Sequence, residues 1–421
     1  MAIQNPVKFS ATKSCIGGRH WVAAAVLIAA ITIAPAHGAS SYTVLHNFAD
    51  GQDGGSPQGT LVLNPKGVIY GACDGGGAKA LGTAFQLVDH GGNLWEETVI
   101  YNFGHYTSGD GVNGSLALDG SGNLFGTTTD GGPHDVGTLY ELSPRAHGWD
   151  LNVLYEYGTD TGVILDKAGN IYGYFGPGDY GGGAISELVH ASNGWSLKTL
   201  YSFCDPNCGY GEGPLAPLSW DAAGNLYGTT YFGGNGPPNC PGSLGCGVAF
   251  QMTRNSDSSW KYHVLHRFAA FPTDGQSPYG GLTVDGKGNV YGTTTHGGKY
   301  DNGTVFELTP VAGGRWKQTV LYDFPSVYLG GAPGSNLLFD KAGNLYGTAG
   351  GGNLSCPETC GVIFKLTSQA PGKWKYSLVH KFDGSDGDTP NGLTMDGAGN
   401  LYGTTEYGGQ YNYGVAFEIK P

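Results

Sequence analysis

Charged residues and methionine are scarce in this sequence. Asp, Glu, Lys and Arg together make up 13% of the 421 residues, and Met occurs 3 times. The 21 basic residues are scattered singly along a chain whose formal net charge is -13. Because nucleic-acid binding depends on clustered Lys and Arg, this composition argues against a nucleic-acid partner.

The common catalytic and metal-binding motifs are also missing. The sequence contains no nucleophile elbow around a serine, no phosphate-binding loop, no His-Glu-x-x-His motif and no EF-hand loop. No enzyme class is therefore indicated by a motif, and any catalytic residues have to be sought in the less regular parts of the chain.

Long apolar runs are confined to the N-terminus. Basic residues precede an apolar run at residues 21–34, and small residues follow it up to residue 40. The run is shorter than the roughly 20 residues that span a membrane, and the pattern is typical of a signal peptide. We predict a signal peptide at residues 1–39, cleaved near Gly38 or Ala39, and no stable membrane span afterwards. An uncleaved membrane anchor is the alternative.

Glycine, by contrast, is abundant, and one glycine-rich phrase is repeated along the chain. Gly accounts for 77 of 421 residues, and the fullest copy of the phrase covers residues 285–308. An aromatic residue in its middle marks seven copies: Tyr70, Phe125, Tyr172, Tyr227, Tyr291, Tyr346 and Tyr402. Strand-like repeats that recur roughly every 50 to 60 residues are typical of propellers and solenoids.

Each copy is predicted to contain four strands. In six copies a Trp stands ahead of the aromatic residue that closes the fourth strand: Trp95, Trp149, Trp195, Trp260, Trp316 and Trp374. A residue that recurs in every unit serves the scaffold, whereas a ligand-binding residue has no need to recur. We therefore assign these Trp residues to the scaffold.

The two ends of the chain decide between an open solenoid and a closed ring. The last copy supplies three strands and stops at Pro421, while residues 42–48 supply a lone fourth strand. Pairing the two would remove both open sheet edges. We predict an all-β fold: a seven-bladed β-propeller with four antiparallel strands per blade, closed by its N-terminal strand. It would form a single domain over residues 40–421, and we expect a monomer.

The motif Asp-x-x-Gly-Asn recurs between the first two strands of a blade, as at residues 285–289. Asp accepts local N–H bonds in turns, and Gly supplies the left-handed conformation. The motif lacks the alternating carboxylates of calcium loops. We interpret it as a turn.

Six cysteines fall in three close pairs within Gly/Pro-rich loops: Cys204 with Cys208, Cys240 with Cys246, and Cys356 with Cys360. In an exported protein such pairs are most simply disulfides. A zinc site made of the first two pairs is the alternative. Cys73 has no such neighbour, and we predict that it is a buried thiol.

The long connections between blades and the Gly-Gly loops after the second strands should emerge together, on what we call the loop face. The Asp-x-x-Gly-Asn turns should emerge on the opposite face, the turn face. Function concentrates on irregular loops over a rigid scaffold. The candidates for ligand binding on the loop face are Tyr231, Phe232, His296, Tyr300, Glu406, Tyr407 and Tyr411.

General acid/base catalysis would need a positioned acid and base. The weak candidates for these roles are His296, Glu406, His134 and Glu212. For each of them the alternative is an ordinary solvated loop side chain.

An acidic residue also recurs where the connections between blades begin: Asp53, Asp110, Asp160, Asp274 and Asp386, with Glu212 at this place in the fourth blade. Recurrence favours a structural role in the turn. A ring of carboxylates that binds calcium is the alternative, and calcium is the one cofactor that the sequence leaves open.

The repeat resembles a known family. Residues 224–234, 399–409 and 414–419 carry the phrases Gly-Asn-Leu-Tyr-Gly-Thr-Thr-x-x-Gly-Gly and Gly-x-Ala-Phe-Glu-Ile, which resemble the Gloeo-Verruco tandem repeat, also called GloVer. The resemblance implies an exported bacterial repeat protein and implies no established activity, so it assigns no catalytic residue. The chain ends at Pro421 without the sorting tail that many members carry, which favours a released or periplasmic protein. The cadence of the turn also resembles that of NHL and streptogramin-lyase propellers.

The sequence thus favours an exported binding propeller, secreted, periplasmic or at the cell surface. We expect its partner to be an extracellular glycan, another extracellular polymer or a protein. Two alternatives remain: a propeller enzyme, such as a polysaccharide hydrolase or lyase or a lactonase, and a structural surface protein.

Overall fold

A computed structural model describes residues 40–421, except 160, 177, 193, 205–208, 235–239, 241–244, 270, 327–329, 351–359 and 371. The predicted signal peptide therefore lies outside the described residues, as do Asp160, Cys208 and Cys356. Among the described residues, no helix is long and apolar enough to cross a membrane.

The described residues form seven four-stranded antiparallel sheets, which are the blades of a β-propeller. The strands of each blade are counted here from the central channel outward. Blade 1 comprises Gly55–Leu63, Ile69–Gly75, Thr83–Asp89 and Trp95–Asn102. Blade 2 comprises Ala117–Leu118, Leu124–Thr128, Thr138–Arg145 and Gly148–Tyr155. Blade 3 comprises Ile164–Leu165, Ile171–Gly173, Ala184–Ala191 and Gly194–Ser202.

The remaining blades repeat this order. Blade 4 comprises Ser219–Trp220, Leu226–Thr230, Val248–Arg254 and Trp260–Arg267. Blade 5 comprises Thr283–Val284, Val290–Thr294, Thr304–Val311 and Arg315–Asp323, and blade 6 comprises Leu338–Phe339, Leu345–Ala349, Val362–Ala370 and Lys373–Lys381. Blade 7 comprises Asp388–Met395, Leu401–Tyr407, Val415–Lys420 and Ser41–Asn47. A short helix, His105–Ser108, and a two-stranded ladder of Gly275–Gln276 with His296–Gly297 lie in the connections.

The ring is closed by its N-terminal strand, as predicted. Ser41–Asn47 pairs antiparallel with Val415–Lys420, with Val44 opposite Phe417. Blade 7 thereby gains its fourth strand, and the two ends of the sheet array meet. The predicted seven-bladed fold is confirmed.

One contact recurs in the blade cores and accounts for the glycine and the aromatic residue of the repeated phrase. In blade 5, Gly292 of the second strand lies opposite Phe306 of the third. A Cβ atom on Gly292 would lie only 2.6 Å from Cζ of the fully buried Phe306. Only glycine leaves room for the ring, so the glycine and the aromatic residue recur together.

The recurring Trp residues lie between blades, as the scaffold assignment requires. Trp149 of blade 2 meets Tyr70 of blade 1 edge to face, with ring centroids 5.8 Å apart. Trp374 meets Tyr291 in the same way at 6.4 Å. Such aromatic contacts stabilise the packing of one blade on the next.

The Asp-x-x-Gly-Asn motif forms a closed turn. Oδ1 of Asp285 accepts hydrogen bonds from the backbone N of Lys287 at 2.8 Å and of Asn289 at 2.9 Å. Oδ2 accepts one from the side-chain amide of Asn289 at 2.9 Å. The carboxylate is occupied by its own turn, which supports the interpretation of the motif as turn chemistry.

Candidate functional site

The first strands of the blades surround the central channel, which widens into a cavity toward each face. The cavity toward the turn face has a volume of about 1010 Å³ and is lined by apolar residues of the first strands, including Leu63 and Phe339. The cavity toward the loop face, called here the central cavity, has a volume of about 520 Å³. It is the candidate binding site.

Amide and hydroxyl side chains make up about half of the described residues that line the central cavity. Its lining includes Gln58, Asn113, Ser115, Ser335, Asn336 and Asn391. Glu406 is the one charged residue among the described residues that line it. The cavity is thus suited to a hydroxyl-rich ligand of little charge.

Two of these amides are held in place by the scaffold. Nδ2 of Asn391 donates to the carbonyl oxygen of Pro57 at 2.7 Å, and Oδ1 of Asn336 accepts from the backbone N of Gly281 at 2.5 Å. Their other amide atoms have no hydrogen-bond partner among the described residues. Each amide therefore offers one fixed polar atom to a ligand.

In six blades the structure describes the variable residue at the entry of the first strand, and in all six it reaches the cavity. Six residues before the turn Asp or Asn stand Gln58, Asn113, Leu215, Tyr279, Gly334 and Pro390, and all of them line the central cavity. None of the ligand-binding candidates predicted from the sequence stands at this position. The signal that could have found it is the change of residue type from blade to blade, just ahead of a regular apolar strand.

Exposed aromatic side chains gather on the loop face, and Tyr279 among them lines the central cavity. They are Tyr106, Tyr180, Tyr210, Phe271, Tyr279, Tyr300, Tyr411 and Tyr413, each at least 40% exposed. All of them lie in connections between blades or in the loops that follow the second strands. Soluble proteins seldom gather exposed aromatic residues on one face without a binding role.

A cluster of three rings stands beside the cavity in blades 4 and 5. Tyr279 lines the cavity, and its ring centroid lies 6.2 Å from that of Tyr231 in an edge-on arrangement. Tyr231 in turn meets Phe232 at 4.7 Å. Of the predicted ligand-binding residues, Tyr231 thus contacts Tyr279 and Phe232 contacts Tyr231, and neither lines the cavity itself.

Glu406 is the sequence candidate that lines the central cavity. A hydrogen bond to its carboxylate raises the pKa of the neighbouring Tyr407 to about 12. Burial, followed by the charge of Glu406, raises the pKa of Asp74 on the adjacent blade. Glu406, Tyr407 and Asp74 therefore form one acidic corner, of which Glu406 lines the cavity.

The other loop-face candidates stand apart from the cavity lining. His296 is exposed, and its Nδ1 lies 3.0 Å from Oγ1 of Thr295. Tyr300 lies beneath Lys299, whose Nζ is 5.0 Å from the ring centroid. Tyr411 is 49% exposed on the rim.

Glu212 and His134 belong to the side of the ring formed by blades 2, 3 and 4. Glu212 lines a separate cleft of about 580 Å³ together with Asp130 and Asp135. His134 is exposed and forms an ion pair with Glu156. Among the described residues, no histidine lines the central cavity, so the four catalytic candidates are not gathered around one point.

Four of the recurring acids of the connections, Asp53, Asp110, Asp274 and Asp386, have histidine partners. Asp53 accepts hydrogen bonds from Nε2 of His46 and the backbone N of Ala49, both at 3.1 Å. Asp110 lies 2.9 Å from Nδ1 of His105. Within the described ranges, no group of three or more His, Cys, Asp or Glu could hold a metal ion.

One predicted disulfide is present, with Cys240 and Cys246 joined and their Cα atoms 4.9 Å apart. Cys73 is a buried free thiol, as predicted. The partners predicted for Cys204 and Cys360 lie outside the described residues, so those pairings stay predictions.

Seven four-stranded blades around a channel, with irregular loops on one face, define a β-propeller repeat protein. The model of the Gloeobacter/Verrucomicrobia repeat family matches residues 31–165 and 239–421. This is more than half of the chain, and the chain belongs to that family. No curated protein has a significantly similar sequence.

Solved structures with a similar fold include three of different kinds. A protein assigned as a gluconolactonase is 13% identical over 91% of this chain and 92% of that chain, with a TM-score of 0.42. A luciferin-regenerating enzyme is 16% identical over 76% and 92%, with a TM-score of 0.45. PorZ, a surface component of the type-IX secretion system of Porphyromonas gingivalis, is 14% identical over 85% and 46%, with a TM-score of 0.51. At identities this low the likeness concerns the fold alone.

Proposed function

We propose that this protein is an exported binding module whose loop face binds a neutral carbohydrate or a similar hydroxyl-rich polymer. The observation that carries the proposal is the central cavity lined by amides and hydroxyls, with the half-exposed Tyr279 in its lining and further exposed tyrosines on the same face. The N-terminal signal pattern and the Cys240–Cys246 disulfide support export, because disulfides persist in oxidising compartments.

Sugar recognition needs the two kinds of group that this face combines. Hydroxyls of a sugar both donate and accept hydrogen bonds, and amides such as Gln58 and Asn113 can do the same. The apolar face of a sugar ring stacks on an aromatic ring, and the half-exposed Tyr279 lines the cavity. The amides Gln58 and Asn113 and the aromatic Tyr279 all stand at the entry of a first strand.

Charge favours a neutral ligand over an anionic one. The formal net charge is -13, and the acidic corner at Glu406 and Asp74 adds local negative potential. Polyanions such as polyuronates would be repelled at moderate salt.

The test is affinity electrophoresis of the purified protein in gels that contain neutral polysaccharides, with a polyuronate gel for comparison. A neutral polysaccharide should retard the protein, and Tyr279→Ala should weaken binding about tenfold, the order expected for loss of one aromatic contact. Leu94→Ala is the matched control, because Leu94 is 64% exposed in the turn before Trp95, away from the loop face. Binding that is unchanged by Tyr279→Ala, or binding only to the polyuronate, would rule out this site.

Catalysis at the same cavity is the second candidate. The acidic corner favours it, because Asp74 has a raised pKa and stands near a second carboxyl group, Glu406, as a general acid requires. Release of reducing sugar or of hydrolysed lactone that is abolished by Glu406→Gln would establish an enzyme. Retardation of the protein by a polysaccharide without any released product would favour the binding module over the enzyme.

A further inference from the structure

Three junctions between blades contain the same His–Asp pair. A histidine near the end of the fourth strand faces an aspartate of the connection that follows: His46 with Asp53 at 3.1 Å, His266 with Asp274 at 2.7 Å and His380 with Asp386 at 2.8 Å. In each case the aspartate also accepts a backbone N–H from its own connection. The pair fixes the path of the chain from one blade to the next.

At one junction the next blade supplies a third partner. Gln318, two residues after Trp316 of blade 5, donates its side-chain amide to Oδ1 of Asp274 at 2.6 Å. This hydrogen bond joins the fourth strand of blade 5 to the aspartate that follows blade 4. The junction is thereby tied from both sides.

The junction that closes the ring has a carboxyl group in the same place. Glu97 stands two residues after Trp95 of blade 1, as Gln318 stands after Trp316. Asp53, the counterpart of Asp274, lies close enough for its charge to act on Glu97. Oε1 of Glu97 is buried and has no hydrogen-bond partner among the described residues.

A carboxylate in this position cannot do what the amide of Gln318 does, because it has no proton to donate. A protonated carboxyl group can. We propose that Glu97 and Asp53 share one proton across the junction of blades 7 and 1, so that closure of the ring is strengthened in mildly acidic surroundings and weakened as the proton leaves.

The surroundings of Glu97 are consistent with a retained proton. Burial, followed by the charge of Asp53, raises the pKa of Glu97 from 4.5 to about 7. The titratable groups around the pair are His46 of the closing strand, which binds Asp53, and the buried Cys73 and its neighbour Asp74 of blade 1. Of these groups only His46 can carry positive charge, and it already contacts Asp53.

The direction of the pH effect follows from linkage. The folded state holds the Glu97 proton up to about pH 7, whereas the unfolded chain releases it near 4.5. Between these two values the folded state binds more protons, so its stability falls as pH rises. The contribution is fully present below the lower value and is lost above the higher one.

The test compares thermal unfolding of the purified protein with that of Glu97→Gln, which copies the residue of blade 5, from about pH 5 to pH 8. The parent midpoint should fall by roughly 3 °C or more relative to that of the variant over this range. In addition, amide-exchange protection of Ser41–Asn47, corrected for intrinsic rates, should decline with pH in the parent and hold in the variant.

The reciprocal variant Gln318→Glu tests whether the pH effect depends on a carboxyl group at this position and not on some other feature of the junction between blades 7 and 1. This variant should lose stability as the pH rises, because it places a carboxyl group beside Asp274 at the junction of blades 4 and 5. Equal pH profiles for the parent and Glu97→Gln would overturn the proposal. A Gln318→Glu variant whose stability depends on pH as that of the parent does would also overturn it. Positions 97 and 318 would then not be equivalent.

Discussion

The ring of Tyr42 lies flat on the imidazole of His380, with centroids 4.0 Å apart and planes inclined by 5°. Tyr42 belongs to the strand that closes the propeller, and His380 to the fourth strand of blade 6. The hydroxyl of Tyr42 also donates to the carbonyl oxygen of Asp386 at 2.6 Å. The closing strand is therefore attached to its preceding blade by side chains as well as to Val415–Lys420 by the ladder.

Replacing Tyr42 by Ala should weaken ring closure. The change removes the stack and a mostly buried ring, and should lower the free energy of unfolding by about 3 kcal/mol, as large-to-small changes of aromatic residues do. Tyr42→Phe keeps the stack and loses the hydroxyl contact, at a cost of about 1 kcal/mol. Urea unfolding followed by Trp fluorescence measures both. Equal losses for the two variants would show that the ring itself contributes nothing.

The glycine of the second strand can be tested against a glycine that has space. Gly292→Ala would place a Cβ 2.6 Å from Cζ of Phe306, and overpacking of this kind costs about 1 to 3 kcal/mol. Gly286 is the control, because a Cβ there meets no atom within 4 Å and its φ is not positive. Gly286→Ala should leave the urea midpoint unchanged. A midpoint that is also unchanged in Gly292→Ala would mean that the core yields to the extra methyl group.

Much of this fold is predictable from the sequence because each blade must solve the same packing problem. Gly292 and Phe306 recur as a pair in the phrase, and the missing fourth strand of the last copy points directly to residues 42–48. The turn motif at Asp285 is equally local, since its acceptors and donors lie within a few residues of one another. Because every blade repeats these local constraints, they appear in the sequence as a periodic pattern.

The candidate site is less predictable because it is assembled across blades. Tyr279 and Gln58 reach one cavity from blades 5 and 1, yet nothing in the repeat phrase marks them. Glu406 was found because it interrupts the repeat just before a Gly-Gly. His296 interrupts it one position later, at the place of Tyr407, and its side chain is exposed and lies outside the cavity lining. Which interruptions meet in space depends on side-chain direction, and the sequence does not show it.

The turn of blade 5 should depend on its aspartate and not on a metal ion. Asp285→Ala removes the acceptor for two backbone N–H groups and should cost about 1 to 3 kcal/mol. Asp285→Asn should cost less, since Asn64 holds the corresponding turn of blade 1 by accepting from Lys66 and Val68 at 2.9 and 3.0 Å. Thermal unfolding with calcium and with EDTA should give the same midpoint for the parent. A midpoint that rises with calcium in the parent and not in Asp285→Ala would instead indicate an ion in the turn.

Blade 3 takes its core aromatic residue from the loop after its second strand and not from its third strand. Ser186 lies opposite Gly173, the place that Phe306 takes opposite Gly292. The fully buried Phe175 fills the gap, with Cε1 3.0 Å from where a Cβ of Gly173 would be. Blade 3 lies partly within residues 166–238, the internal stretch that the family model does not match.

This exchange predicts a non-additive pair of substitutions. Phe175→Ala should cost about 3 to 5 kcal/mol by leaving a cavity, and Ser186→Phe about 1 to 3 kcal/mol by overpacking. The double variant should be more stable than the sum of the two losses predicts, because the new Phe enters the space that Phe175 vacates. Urea unfolding of the four proteins gives the coupling free energy. A coupling free energy of zero would mean that the two side chains do not compete for one site. The core of blade 3 would then be packed differently from that of blade 5.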